Sequence, residues 1–156
     1  MSGNAATLAK AIVPATIVPS GSATLAITLG NTTAAALTLT APFTDPMPAG
    51  MTTTTANTGT CAGVTVTPTL ITMPTGASIP PGGCTIVVGV TSSTLGTITN
   101  VTSALVTDKY TAPAASAPLG VATGGSTAPI PVDSKVALAL CALLIALSGA
   151  LRRRRR

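Results

Sequence analysis

Residues 23–29 read Ala-Thr-Leu-Ala-Ile-Thr-Leu, with Leu25, Ile27 and Leu29 on one parity and Thr24, Ala26 and Thr28 on the other. A period of two gives one buried and one wet face only when the chain is extended, so this stretch predicts a half-buried strand. The rest of the chain is made of similar material. Hydrophobic residues are 46% of the total, yet the aromatics are one Phe and one Tyr, which leaves Ala, Val, Leu and Ile, mixed with abundant Thr. Thr and Val restrict χ1 and suit a pleated surface better than a helix. Further strands are expected at 36–43, 63–67, 69–73, 84–90 and 96–107. Pro19-Ser20-Gly21, Asp45-Pro46, Pro48-Ala49-Gly50 and Pro80-Pro81-Gly82-Gly83 supply the turns between them. Short strands at this spacing predict an all-β, antiparallel β-sandwich rather than βαβ units.

Charge excludes one class of function. The formal net charge is +5, but all five arginines sit at Arg152, Arg153, Arg154, Arg155 and Arg156. Elsewhere Lys10, Lys109 and Lys135 cancel Asp45, Asp108 and Asp133. A nucleic-acid surface needs cations spread over a face, with aromatics to stack on bases, so no nucleic-acid partner is expected.

The arginines instead close an uncharged run, VALALCALLIALSGAL, at 136–151. As a helix it spans about 24 Å, short of a hydrocarbon core of roughly 30 Å, and Lys135 and Arg152 can snorkel to cover the difference. A transmembrane helix is expected, with Cys141 packing inside it as a small apolar residue. Flanking cations stay cytoplasmic, which puts the C-terminus inside and everything before Val136 outside. Residues 122–129 form a small-residue linker around Gly124-Gly125-Ser126, and 1–121 form the domain. Met1 to Lys10 carries no apolar core of a secretion signal, so the expectation is either a truncated start or the last module of a longer exported protein.

Two stretches are similar to known bacterial surface elements. Leu8-Ala9-Lys10, Pro14-Ala15-Thr16-Ile17, SATLAITLGN at 22–31, Phe43-Thr44-Asp45, Pro48-Ala49-Gly50-Met51, Cys61-Ala62-Gly63, IPPGGCT at 79–85 and GTITN at 96–100 occur in a consistent order. In that order they resemble the immunoglobulin-like repeat of unknown function found in large bacterial surface proteins. The resemblance implies an immunoglobulin-like sandwich over most of the first 120 residues. Residues 130–156 resemble an IPTL-type member of the PEP-CTERM sorting signals, with Ile130, Pro131 and Val132 as the short Pro motif ahead of the apolar helix and the Arg cluster. That resemblance implies an exosortase-like membrane protease as partner, cutting near Pro131. Proline biases the residue before it toward the extended shape that proteases bind.

Chemistry is scarce. The sequence has no His and no Glu, and its three Asp are far apart, so no catalytic residue, metal ligand or cofactor site is expected. Cys61 and Cys84 are expected to form a disulfide closing a loop of about 24 residues, worth about 3.5 kcal/mol by chain entropy; the alternative is two buried, reduced thiols. The run Thr52 to Thr55 reads as an exposed β loop. Asn31-Thr32-Thr33 and Asn100-Val101-Thr102 match the glycosylation sequon, a weak signal in a bacterial chain. Lys10 near the first strand and Asn100 near the last pose a sharper idea. Adhesin and pilin domains of this shape can join Lys to Asn by an isopeptide bond, with a buried acid, here Asp45, assisting. Residue type alone predicts instead an exposed lysine and a turn-forming asparagine.

The expected function is a non-enzymatic surface module, structural or adhesive, anchored in the cell envelope with the domain outside, and released to the surface if the tail is cut. Its partners would be the membrane, the sorting protease, and neighbouring surface domains or extracellular matrix. A sugar- or ion-binding module is the alternative, with neither stacking aromatics nor acidic clusters to support it.

Overall fold

The computed structural model describes residues 5–124, and these are all-β, with no helix among them. In chain order the strands are β1 Ala6–Val13, β2 Thr16–Ile17, β3 Ser22–Asn31, β4 Leu37–Thr38, β5 Phe43–Pro46, β6 Met51–Thr53 and β7 Thr65–Thr67. They continue with β8 Leu70–Met73, β9 Ser78–Ile79, β10 Cys84–Ser92, β11 Gly96–Val101, β12 Leu105–Val106, β13 Thr111–Ala112 and β14 Ser116–Val121. The transmembrane helix, the Pro motif Ile130, Pro131 and Val132, and Arg152, Arg153, Arg154, Arg155 and Arg156 lie outside the described residues.

The main sheet has the order β1-β3-β10-β6. The alternation at 23–29 is the middle of β3, which pairs antiparallel with β1 and with β10. Leu25, Ile27 and Leu29 are fully buried, and across the ladder they meet Val88, Ile86 and Cys84 of the equally regular β10. Each such side chain removed from water contributes roughly 1.5–3 kcal/mol. A second ladder runs β11-β14-β2 and a third β5-β8-β7, and β12-β13 and β4-β9 form two-stranded pairs. Every ladder is antiparallel except β14 with β2, which is parallel at Gly120–Thr16 and Val121–Ile17.

Two expected strands prove to be broken, each for a local reason. The stretch 36–43 splits into β4 and β5, which belong to different sheets. Pro42 lies in the gap, and a residue with no N–H cannot continue a ladder. The stretch 96–107 splits at Thr102 and Ser103: the Thr102 N–H still reaches Ala115 O, just before β14, but the Ser103 N–H turns away to Thr44 O beside β5. Strands β1 and β14 were not apparent from pattern. Lys10 interrupts the apolar parity of β1, and Pro118 argues against a strand at 116–121; the outer side of β14 has a ladder partner only at Gly120 and Val121.

Residues 54–61 lie along the open edge of β10 without forming a regular strand. Thr54, Thr58 and Cys61 donate their N–H groups to Gly89 O, Val87 O and Thr85 O. The N–H groups of Gly89, Val87 and Thr85 are taken by side chains instead: Thr55 Oγ1 at 2.7 Å, Asn57 Oδ1 at 2.9 Å and Thr60 Oγ1 at 3.0 Å. Covering an edge this way removes a template for aggregation. A Cβ at Gly59 would run into the Thr85 carbonyl, so only glycine lets the segment lie this close. The Thr-rich run is therefore less a free loop than a cover over the sheet edge.

Candidate functional site

Three polar side chains sit where alternation calls for apolar ones. On β1 the inward parity is Ala6, Leu8, Lys10 and Ile12. On β5 it is Phe43, Asp45 and then Met47, and near the end of β11 it reaches Asn100. These strands belong to three different sheets. Reciprocal bonds fasten β5 beside the end of β11: Thr44 N donates to Ser103 Oγ at 3.0 Å and Ser103 N donates to Thr44 O at 2.8 Å.

The three side chains meet. Lys10 Nζ donates to Asp45 Oδ1 at 2.7 Å, and both side chains are wholly shielded from solvent. The other carboxylate oxygen, Asp45 Oδ2, accepts from Asn100 Nδ2 at 3.3 Å. Asn100 Nδ2 also lies 3.7 Å from Met47 Sδ. Asn100 Oδ1 has no hydrogen-bond partner, and it is the single such buried side-chain atom among the described residues. Asn31, also buried, shows the contrast. Its Nδ2 donates to Ala35 O and Ile79 O, and its Oδ1 accepts from Thr33 N and Thr33 Oγ1.

Burial shapes the electrostatics of the pair. Desolvation pushes the Lys10 amine below its usual value, against the opposing pull of Asp45. Desolvation likewise pushes the Asp45 carboxyl up, against the pull of Lys10 and Asn100. Both shifts favour uncharged forms, because taking two ions out of water costs more than their attraction returns unless every other bond is satisfied. A neutral amine is a nucleophile and a protonated carboxyl is an acid.

The expectation of an exposed Lys10 and a turn-forming Asn100 is thereby corrected. The Lys10 side chain is shielded from solvent, and Asn100 is buried within β11 opposite Ala117. Neither sequon is accessible, since Asn31 and Asn100 are 1% and 0% exposed. Cys61 and Cys84 are joined by a disulfide, with Cα atoms 4.9 Å apart, which ties the edge-covering segment to the start of β10. The signal that locates the cluster is legible in principle: each of its members breaks the apolar parity of a strand.

The sequence matches the family described as a domain of unknown function, DUF7933, over residues 6–121. The chain belongs to the DUF7933 family. The matched range opens with β1 and closes with β14, so the DUF7933 domain contains the whole Lys10–Asp45–Asn100 cluster. No curated protein matches the chain. Among solved structures, the crystal structure of BslA, a bacterial hydrophobin, is similar at 17% identity, covering 77% of this chain and 97% of that one with a TM-score of 0.45.

Proposed function

We propose that the chain is a non-enzymatic structural or adhesive module of an exported bacterial surface protein, built as an immunoglobulin-like sandwich and displayed through its C-terminal tail. The Cys61–Cys84 bridge carries this reading. Disulfides persist in oxidising compartments outside the cytosol, and small-residue domains with few aromatics depend on them. The tail supplies the complementary argument. An uncharged run ending on five arginines orients a membrane helix with its domain outside. The Pro motif at Ile130, Pro131 and Val132 would present an extended site to an exosortase-like protease. Neighbouring surface domains or matrix would be the partners of the displayed module.

A ligand-binding role finds less support. A shallow groove of about 230 Å³ lies between the Thr-rich segment and β7, lined by Thr53, Thr55, Val66 and Pro68 among others. It offers no aromatic ring for a sugar to stack on. Among the described residues no three metal-ligating side chains converge.

The test is to supply an upstream secretion signal, tag both ends, and treat spheroplasts with protease. The domain should be digested from outside and the C-terminal tag protected, with the tail removed near Pro131 in a host carrying the matching protease. Replacing all five arginines by Gln should abolish retention, because each Arg costs about 2.5–3.5 kcal/mol at the centre of a membrane helix. A C-terminal tag digested from outside, with a protected domain, would reverse the topology. Correct topology without cleavage would reject the sorting role.

A further inference from the structure

Asp45 touches the amine of Lys10 with one oxygen and the carboxamide of Asn100 with the other. A single carboxyl group thus holds a nucleophile and an electrophile side by side in a site closed to water. We propose that Lys10 and Asn100 become joined by an intramolecular isopeptide bond, with Asp45 moving the protons. The inference stands apart from the exported-surface reading, because bond formation needs only the folded domain.

Each requirement of the reaction has an observation behind it. The amine must be neutral to attack, and burial drives Lys10 toward that form. The acid must carry a proton, and burial drives Asp45 toward that form. The carbonyl oxygen must be free to take up charge, and Asn100 Oδ1 is the one buried side-chain atom among the described residues left without a partner. Turning the amide over by half a rotation pairs that oxygen with a protonated Asp45 Oδ2, which satisfies the orphan and polarises the carbonyl. Fixing the two reacting groups on strands of two different sheets replaces a bimolecular encounter by an intramolecular one.

The step balances without any other reactant. The Lys10 Nζ lone pair attacks Asn100 Cγ while the Asp45 proton passes to Oδ1. The attacking nitrogen loses a proton to the carboxylate, which hands it on to Nδ2. The Cγ–Nδ2 bond breaks, ammonia leaves, and the carbonyl re-forms as Oδ1 returns its proton to Asp45. One C–N bond is made and one is broken. Nothing is oxidised or reduced, water is not consumed, and Asp45 is regenerated.

The topology gives the bond a purpose. It would join the first strand to β11, whose neighbour β14 is the last strand, so it bridges both ends of the domain. Tension entering at β1 would pass through the cross-link to β11 and out through β14, leaving residues 11–99 unloaded. The same cross-link would dispose of a buried ion pair, which otherwise contributes little to stability.

The experiment is mass spectrometry of the full chain, denatured and reduced, from a host that lacks the tail-cutting protease. The intact mass should fall short of the sequence mass by one ammonia. Digestion at sites other than Lys should yield a branched peptide joining the Lys10 and Asn100 segments, and trypsin should fail to cut after Lys10. Lys10→Arg, Asn100→Ala and Asp45→Asn should each restore the full mass. A wild-type chain at the full sequence mass, or one that loses ammonia while trypsin still cuts after Lys10, overturns the proposal, and the wild-type result holds whether or not the variants fold. A bond that still forms in Asp45→Asn would remove Asp45 from the chemistry.

Discussion

Lys10 Nζ and Asp45 Oδ1 lie 2.7 Å apart, on strands of different sheets, with neither side chain reaching solvent. Ordinary core design would place two aliphatic residues there, and such replacements are often neutral or stabilising. A cation and an acid held in that position, with an amide against the same carboxyl, are better explained by chemistry between them than by stability.

The pair makes a pH-dependent prediction when the cross-link is prevented. In an Asn100→Ala background, Lys10→Met leaves Asp45 buried with no cation. Burial already holds its carboxyl above the ordinary 3.8, and losing Lys10 removes an opposing influence. A raised folded value means that the native state binds the proton more tightly than the unfolded chain. Its stabilising contribution is therefore complete below about pH 3.8 and is lost as pH rises through the folded value. Urea midpoints should accordingly fall between about pH 4 and about pH 8 in the double variant. A midpoint that rises over the same range would contradict the assignment.

Asn57 anchors the cover over β10 through three bonds: its Oδ1 accepts from Gly59 N at 2.8 Å and Val87 N at 2.9 Å, and its Nδ2 donates to Cys61 O at 3.2 Å. Asn57→Ala leaves buried or half-buried backbone groups unpaired and should cost about 1–3 kcal/mol. Gly59→Ala should cost a comparable amount through its collision with the Thr85 carbonyl. Both are checked by urea unfolding, and Asn57→Ala should also speed amide exchange at Val87. Unchanged protection at Val87 would show that the edge is not covered as described.

The two longest strands, β3 and β10, are legible in the sequence, whereas β1, β2, β6, β9, β13 and β14 are not. The alternation of Leu25, Ile27 and Leu29 specifies β3 and its face, and Cys84 through Val90 specifies its partner. The breaks are less legible, because Pro42 stands in the gap between β4 and β5 and its effect depends on which sheet the chain joins next. The cluster was hardest. Likeness to adhesin and pilin domains names Lys10, Asp45 and Asn100 together, but they are far apart in sequence, and residue type alone predicts an exposed lysine and a turn-forming asparagine until the fold shows what they face. Their meeting is a property of three sheets packing together, which no local pattern encodes.

The disulfide is expected to matter more here than in a domain with an aromatic core. Phe43 is the largest buried side chain, and the rest of the core is aliphatic or methionine apart from small residues and the bridge itself. Replacing Cys61 and Cys84 together by Ala should cost about 3.5 kcal/mol by chain entropy. Calorimetry with and without reductant is the check. An unchanged midpoint on reduction would mean that the bridge is dispensable.

Stretching single molecules of the full chain from its two ends tests the central claim, a domain locked between its first strand and β11, most directly. With Lys10 joined to Asn100, only the segments outside the cross-link can extend within the family domain, a contour gain of roughly 90 Å at about 3.5 Å per residue. Without it, the domain should release roughly 330 Å, the disulfide loop alone remaining closed. A short gain in the wild type that lengthens to the full value in Asn100→Ala is the predicted result. Full extension in the wild type would contradict it.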